Sequence, residues 1–329
     1  MISSFTYKLL VAGKLPGVGR KTLRDLSSDR MFFELELEEL AENFPELKAL
    51  RKGTAAWSDA KGAADRDVEL AEKNGHFILS ALDSKYPKLL ANVADRPEII
   101  FVRGDPARFT HRSVAVVGTR EPTRHGIVTA ARITAHFVAD QWQIVSGLAL
   151  GIDTIAHQCT LENKGSTVAV LAHGLDTVYP KENKLLAEQI VEAGGILLSE
   201  YAYNSRTFPS NFVERDRIQA ALATCVVMVQ SDEQGGSWHA SRAALRYGRF
   251  LVVPRPTDED QAAREPKIRG NLKIIQSSTT ESSKFLKCRP EDINRVVVLE
   301  GRNDYELLAC QLASVLPLGV KPSVLEQTA

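Results

Sequence analysis

Small residues, hydroxyls and basic side chains recur at five places in the middle of the chain, in a pattern suited to holding phosphate. They are Gly118-Thr119-Arg120, the run from Ser146 and Gly147 to Gly151, Lys181 with Asn183, Ser199-Glu200, and Gly235-Gly236-Ser237. Glycine lets a backbone N–H approach an anionic oxygen, Ser and Thr add hydroxyl donors, and arginine adds charge with a two-pronged fork. Each glycine taken singly reads as a tight turn; five such turns on one edge favour a ligand site. The first of them opens GTREPTRHG rather than GxGxxG, and no GxxxxGK[ST] occurs. A bound NAD or ATP is therefore not expected, and no other cofactor is implied.

Two further constellations carry less. Ser146, Asp153 and His157 invite comparison with a hydrolytic triad, but Asp153 and His157 stand four apart on an expected helix, where they form a local pair or cap its start. No catalytic set is expected. The seven histidines show no HxH or HExxH spacing, and Cys159, Cys225, Cys288 and Cys310 form no CxxC pair. Neither a metal site nor a disulfide framework is expected, and the cysteine usage suits a reducing cytoplasm.

The elements that must position the phosphate-type residues are apolar, β-branched runs: residues 113–117, 143–147, 167–171, 195–199, 225–229 and 250–254. Stretches long enough for helices separate them, such as 126–139 and 184–193. Continuous apolar strands alternating with helices predict a doubly wound, mostly parallel α/β sheet covered on both faces, a Rossmann-like domain. Ligands in that architecture bind beyond the carboxyl ends of the strands, where all five clusters fall.

The remaining sequence divides around this domain. Residues 1–75 read as a small helical domain, with apolar residues at helical spacing through Phe33, Leu37, Leu40, Phe44 and Leu47 and an acidic outer face over 31–50. Within it, Leu15-Pro16-Gly17-Val18-Gly19-Arg20-Lys21 is similar to the hairpin of a helix-hairpin-helix (SAM-like) unit; it reads either as a phosphate contact or as a turn that touches nothing. Residues 76–112 lead into the core, 113–287 form it, and 288–329 are a tail of unclear fold. The 41 basic and 41 acidic residues cancel, and 44% of residues are hydrophobic. That excludes a disordered chain and a polymer-coating basic protein, but not local clusters of positive charge. No signal peptide and no membrane span is read from the sequence.

Several runs resemble one family. Ser146 to His157, SGLALGIDTIAH, is similar to the SGLARGIDxxAH signature of the DNA-processing protein A family (DprA, also called Smf). VVGTR ending at Arg120, VLAHGLDTVYPKEN ending at Asn183, and Leu198-Ser199-Glu200 resemble its VVGSR, VLGxGLDxxYPxxN and LLSE elements. The upstream YPKLL and IFVRGD and the downstream Gly270-Asn271 match in order, so the resemblance covers about residues 78–276. It implies a protein that binds and protects single-stranded DNA and loads a RecA-type recombinase during natural transformation, without turnover, as a homodimer. Carried over, the DNA-contacting candidates are Gly118, Thr119, Arg120, Ser146, Gly147, Gly151, Lys181, Asn183, Arg215, Arg217, Gly235, Gly236 and Ser237.

The chain also departs from the family. FxxRNR appears as Phe212-Val213-Glu214-Arg215-Asp216-Arg217, which puts a carboxylate between two arginines. The signature's arginine is Leu150 here, and SGSL is Gly235-Gly236-Ser237-Trp238, whose indole either stacks on a base or caps the sheet. These changes keep open a second reading: a nucleotide-derivative sensor, or a nucleoside-monophosphate N-glycoside hydrolase of the same superfamily. The hydrolase motif needs a downstream acidic residue that Ala240-Ser241-Arg242-Ala243 does not supply.

Overall fold

The computed structural model describes residues 2–50 and 54–315. Its centre is a mixed α/β sheet of nine strands: β1 (Phe77–Ser80), β2 (Ile99–Arg103), β3 (Ser113–Val117), β4 (Gln143–Ser146), β5 (Thr167–Leu171), β6 (Ile196–Ser199), β7 (Cys225–Met228), β8 (Phe250–Pro254) and β9 (Val296–Leu299). The six expected strands are β3 to β8, each within a residue of its expected start and end. The order across the sheet is β1-β2-β6-β5-β4-β3-β7-β8-β9. From β3 to β6 the chain winds one way, then returns to lay β7 and β8 on the other side of β3, all in parallel. The winding reverses between β3 and β7, so a crevice opens beyond their carboxyl ends.

Both faces of these strands are buried, which explains the absence of polar alternation in their sequences. Val114, Val116 and Ile144 pack with Ile133 and Phe137 of the helix Arg124–Ala139. Ala115, Val117 and Val226 point the other way, into a cluster with Ile218 and Ala240 of the helices Pro209–Ala221 and Trp238–Arg246. Periodicity could not show β1, β2 and β9. The first two form an antiparallel hairpin that adds antiparallel to β6, and β9 pairs parallel with β8 within the segment read as a tail of unclear fold.

The N-terminal segment folds as helices, as its periodicity predicts, but the acidic stretch is broken. Helices Arg30–Glu34 and Leu40–Asn43 are followed by a 3-10 turn, Pro45–Leu50, because Leu35 and Phe44 are extended and Pro45 cannot continue the second helix. Phe32, Leu40 and Leu47 are its fully buried anchors. Gly17, at φ +84°, makes the turn between helices Ser4–Gly13 and Arg20–Ser27. The helical segment is packed onto the sheet edge: the Thr6 hydroxyl donates to Ser80 Oγ at 2.7 Å, and Ile78, Phe101 and Leu197 share its apolar cluster. Among the described residues no helix is long and apolar enough to cross a membrane.

One side chain ties the chain leaving β7, beside the crevice, to the end of β8. Asn271, fully buried, accepts from the Ser231 N–H at 3.1 Å and donates to the Val229 carbonyl at 2.8 Å and the Pro254 carbonyl at 3.3 Å. Asn271→Leu leaves three buried backbone groups unpaired. We expect a loss of about 2–4 kcal/mol in urea unfolding, against under about 1 kcal/mol for an exposed control such as Leu185→Ala.

Candidate functional site: the strand-edge cleft

A cleft of about 700 Å³ opens at the β3/β7 crevice. Its walls include Gly118, Thr119 and Arg120 after β3, Gly235, Gly236 and Ser237 after β7, and Arg215 from the intervening helix. Seven of the thirteen candidate residues therefore line one concavity, although they come from three separate stretches of sequence.

The loop after β4 forms the floor through Ala149, with Gly147 in the adjoining slot, and it is locked from behind. Asp153, on the first turn of the helix Ile152–Glu162, accepts from the Gly147 N–H at 3.0 Å and the Ala149 N–H at 3.4 Å. Asn183 donates to the Leu148 carbonyl at 2.9 Å and to Thr154 Oγ1 at 2.8 Å. The Ser146 hydroxyl donates to the Val116 carbonyl at 2.7 Å, stitching β4 to β3. Gly151, at φ +76°, passes so close to the Thr119 and Arg120 backbone that a Cβ would lie 2.4 Å from a carbonyl oxygen. Ser146, Gly151 and Asn183 thus hold the floor in place and do not line the main cleft.

Arg215 is the centre of this scaffold. Its guanidinium is 4% exposed and donates from Nη1 to the carbonyls of Gly147 and, at 2.6 Å, Val170, while Nε bonds Asp216 Oδ1 at 3.1 Å. A Cβ on Gly147 would lie 2.3 Å from that guanidinium, so the glycine is required by the arginine. Asp216 forms its ion pair with Arg215, also feels the nearby Arg120 charge, and accepts from Gln219 at 3.0 Å. Arg217 turns away: its Nη2 bonds buried Glu200 at 2.5 Å, on the far side of the helix. The same Glu200 receives Arg20 of the N-terminal hairpin at 2.8 Å, so that hairpin arginine contacts protein.

What faces the cleft is less charged than the sequence suggests. Three cations line it against four carboxylates. Arg215 is buried in the scaffold, and Lys267 pairs with Glu121 at 3.1 Å. Arg120 is exposed, has no salt bridge among the described residues, and lies over the Phe212 ring at 5.7 Å. Burial pushes the carboxyls of Asp153 and Asp216 up to about 6, against the opposing pull of Arg215. Both lose their charge just below neutral pH. Lys181 is exposed on a 3-10 turn outside the main cleft.

Two aromatic residues not among the sequence candidates complete the rim. Tyr179, 53% exposed, meets Phe212 edge-on at 5.4 Å, and both line a narrow slot with Arg120 and Leu150. The available signal was their position beside the two basic candidates, Lys181 and Arg215. Trp238, by contrast, caps the sheet: it is buried, donates to the Asp232 carbonyl at 2.8 Å and packs on Phe285. The backbone N–H groups of Gly236 and Ser237 have no backbone acceptor among the described residues. Around Gly236 there is open space, with nothing within 4 Å of a built Cβ.

Of the tempting triad, Ser146 and Asp153 are bonded as above. His157 is fully buried, bonded to Thr167 at 2.8 Å and pushed down to about 3 by burial and then by Arg215. It is a neutral packing residue.

Two substitutions separate scaffold from surface. Gly147→Ala should displace Arg215 and cost about 2–4 kcal/mol in chemical denaturation, whereas Gly236→Ala should stay within about 1 kcal/mol of the parent. The raised carboxyls carry a pH signature. Their folded values lie above the unfolded ones, so the protein gains stability as pH falls from 7.5 through 6 toward 5. Asp216→Asn should flatten that rise in the urea midpoint; an unchanged pH profile would contradict the assignment.

The family model described as DNA recombination-mediator protein A matches residues 77–287. The chain is 37% identical to Protein Smf of Synechocystis over 202 residues, 59% of this chain and 50% of that one. It is 36% identical to DNA processing protein DprA of Streptococcus pneumoniae over 188 residues, 57% of this chain and 66% of that one. The chain thus spans between half and two thirds of the length of these relatives. The crystal structure of the S. pneumoniae DprA superimposes with a TM-score of 0.63 at 25% identity, over 83% of this chain and 98% of that one. A Helicobacter pylori DNA processing protein A, whose structure is described for its single-stranded DNA binding mode, shares the fold at a TM-score of 0.56 and 23% identity, over 73% of this chain and 96% of that one. The match over 77–287, with the strand-end loops it encloses, places this chain in the DNA recombination-mediator protein A family, the DprA/Smf proteins.

Proposed function

We propose that the strand-edge cleft binds single-stranded DNA, and that the protein acts by positioning and protecting that strand without turning it over. The observation that carries this reading is the grouping at the rim: an exposed Arg120 guanidinium with no salt bridge among the described residues, two adjoining aromatic rings, and the N–H groups of Gly236 and Ser237. A guanidinium and backbone donors suit phosphate oxygens; exposed rings suit unstacked bases, which every sequence presents. Family membership and the DNA-binding mode described for the H. pylori protein support the same ligand.

In this reading Arg120, Gly236 and Ser237 contact phosphate, with Gly118, Thr119 and Gly235 shaping the wall and Lys181 extending the rim. Tyr179 and Phe212 contact bases. Ser146, Gly147, Gly151, Asn183 and Arg215 act indirectly by fixing the loops. Delivery of the strand to a RecA-type recombinase in natural transformation, and action as a homodimer, follow from the family and are part of the proposal.

Anisotropy with labelled single-stranded, duplex and mononucleotide probes at several salt concentrations tests it. We expect single strands to bind with affinity that falls as salt rises. Arg120→Ala should weaken binding about tenfold with the urea midpoint unchanged. Leu150→Arg, which adds charge to the slot, should strengthen it. Binding should also tighten as pH drops through 6 and the cleft carboxyls neutralise. A mononucleotide that binds where single strands do not would favour the nucleotide-sensor reading and overturn this one.

A further inference from the structure

A second cleft, of about 800 Å³, adjoins the first between the helix Pro209–Ala221, the helix Trp238–Arg246 and the segment 287–295. The two share Val213 and His239 in their walls, so one groove runs from the strand edge across these side chains. Their electrostatics differ. Seven Lys and Arg side chains line the second cleft against three carboxylates, where the first has three cations against four.

The second cleft also contains groups that the fold leaves unused. Arg217 is 6% exposed; its Nη2 is bonded to Glu200 and its Nε lies 3.6 Å from a Glu214 carboxylate oxygen, while its Nη1 has no partner among the described residues. Buried charged donors without acceptors are costly, and they mark places where an acceptor is missing. Lys287 is exposed with no side-chain partner among the described residues, at the left-handed C-cap of the helix Thr279–Leu286. Arg242 bonds the Phe285 carbonyl, at 3.1 Å, and has no carboxylate partner among the described residues. The His239 imidazole is held below its ordinary value by burial and then by Arg242 and Lys287, in keeping with a positive potential there.

We propose that this basic cleft holds phosphodiester groups of the same DNA strand beyond the segment held at the strand edge, the strand crossing between the clefts at Val213 and His239. The proposal rests on the strand-edge reading above. It explains how a cleft with a single guanidinium outside any salt bridge among the described residues can belong to a polyanion-binding protein: the first cleft grips bases and a turn of backbone, and the second supplies most of the charge.

Oligothymidylates from about four to about sixteen nucleotides separate the two sites, since site sizes of that order are usual for single-strand binders. In the full chain, wild-type affinity should increase with length, and the dependence of log affinity on log salt should steepen. Lys287→Ala should leave the shortest probe unchanged, weaken the longest about three- to tenfold, and reduce its salt slope by about one unit. Lys287→Glu should weaken it further, and Lys287→Arg should restore it. Because Lys287 is exposed, these variants should keep the parent urea midpoint. Long-probe binding unchanged by Lys287→Glu, or short and long probes weakened by the same factor, would overturn the second cleft while leaving the first intact. Failure of the wild type to bind any single strand would overturn the strand-edge reading and this one together.

Discussion

The geometry of the site depends on the buried Arg215 guanidinium. It reaches the carbonyls of Gly147 and Val170, beyond β4 and near the end of β5, from a helix on one face of the sheet, and it pairs with Asp216 on its own helix. Parallel strands end in unpaired backbone groups, and a buried carbonyl without a donor is expensive. One planar cation with several donors satisfies two such ends at once, which a lysine could not do with the same geometry. Gly147 follows from this, because no Cβ fits beside the guanidinium. Asp216 follows as the partner that keeps the cation from being buried alone.

This constraint changes what the charges mean. An arginine in a strand-end motif looks like a ligand contact, yet Arg215 is spent on the scaffold and Arg217 on Glu200. The neutral total is likewise a sum of local arrangements: internal pairs such as Arg20 with Glu200 and Arg255 with Glu300, and one cleft where cations exceed carboxylates. The cation surplus lies beside the expected site, across the helices Pro209–Ala221 and Trp238–Arg246, on side chains brought together from distant parts of the sequence.

How much could be read beforehand follows from the range of each interaction. Strands β3 to β8 were legible because burial on both faces makes them continuous apolar runs, and the carboxyl-end edge followed from the doubly wound architecture; the strand order that places the crevice at β3/β7 did not. Strands β1, β2 and β9 were not legible, because strands of four or five residues at or next to the sheet's edges carry little periodic signal and owe their pairing to neighbours far along the chain. The rim glycines and Arg120 were found from type and spacing. The split between contact and scaffold was hidden, since nothing local shows that Asn183 folds back on the Leu148 carbonyl or that Trp238 turns inward onto Phe285. The aromatic pair Tyr179 and Phe212 was passed over because two rings 33 positions apart become a pair only once the sheet is built.

The central claim is one of location: bases lie against Tyr179 and Phe212 at the β3/β7 crevice. Photo-crosslinking of a bromouridine-substituted single strand, with the modified peptides mapped by mass spectrometry, tests it directly. The account predicts adducts concentrated at Tyr179 and Phe212 and lost from the latter in Phe212→Ala. Adducts confined to the N-terminal hairpin around Gly17 to Lys21, with none at the crevice, would contradict it.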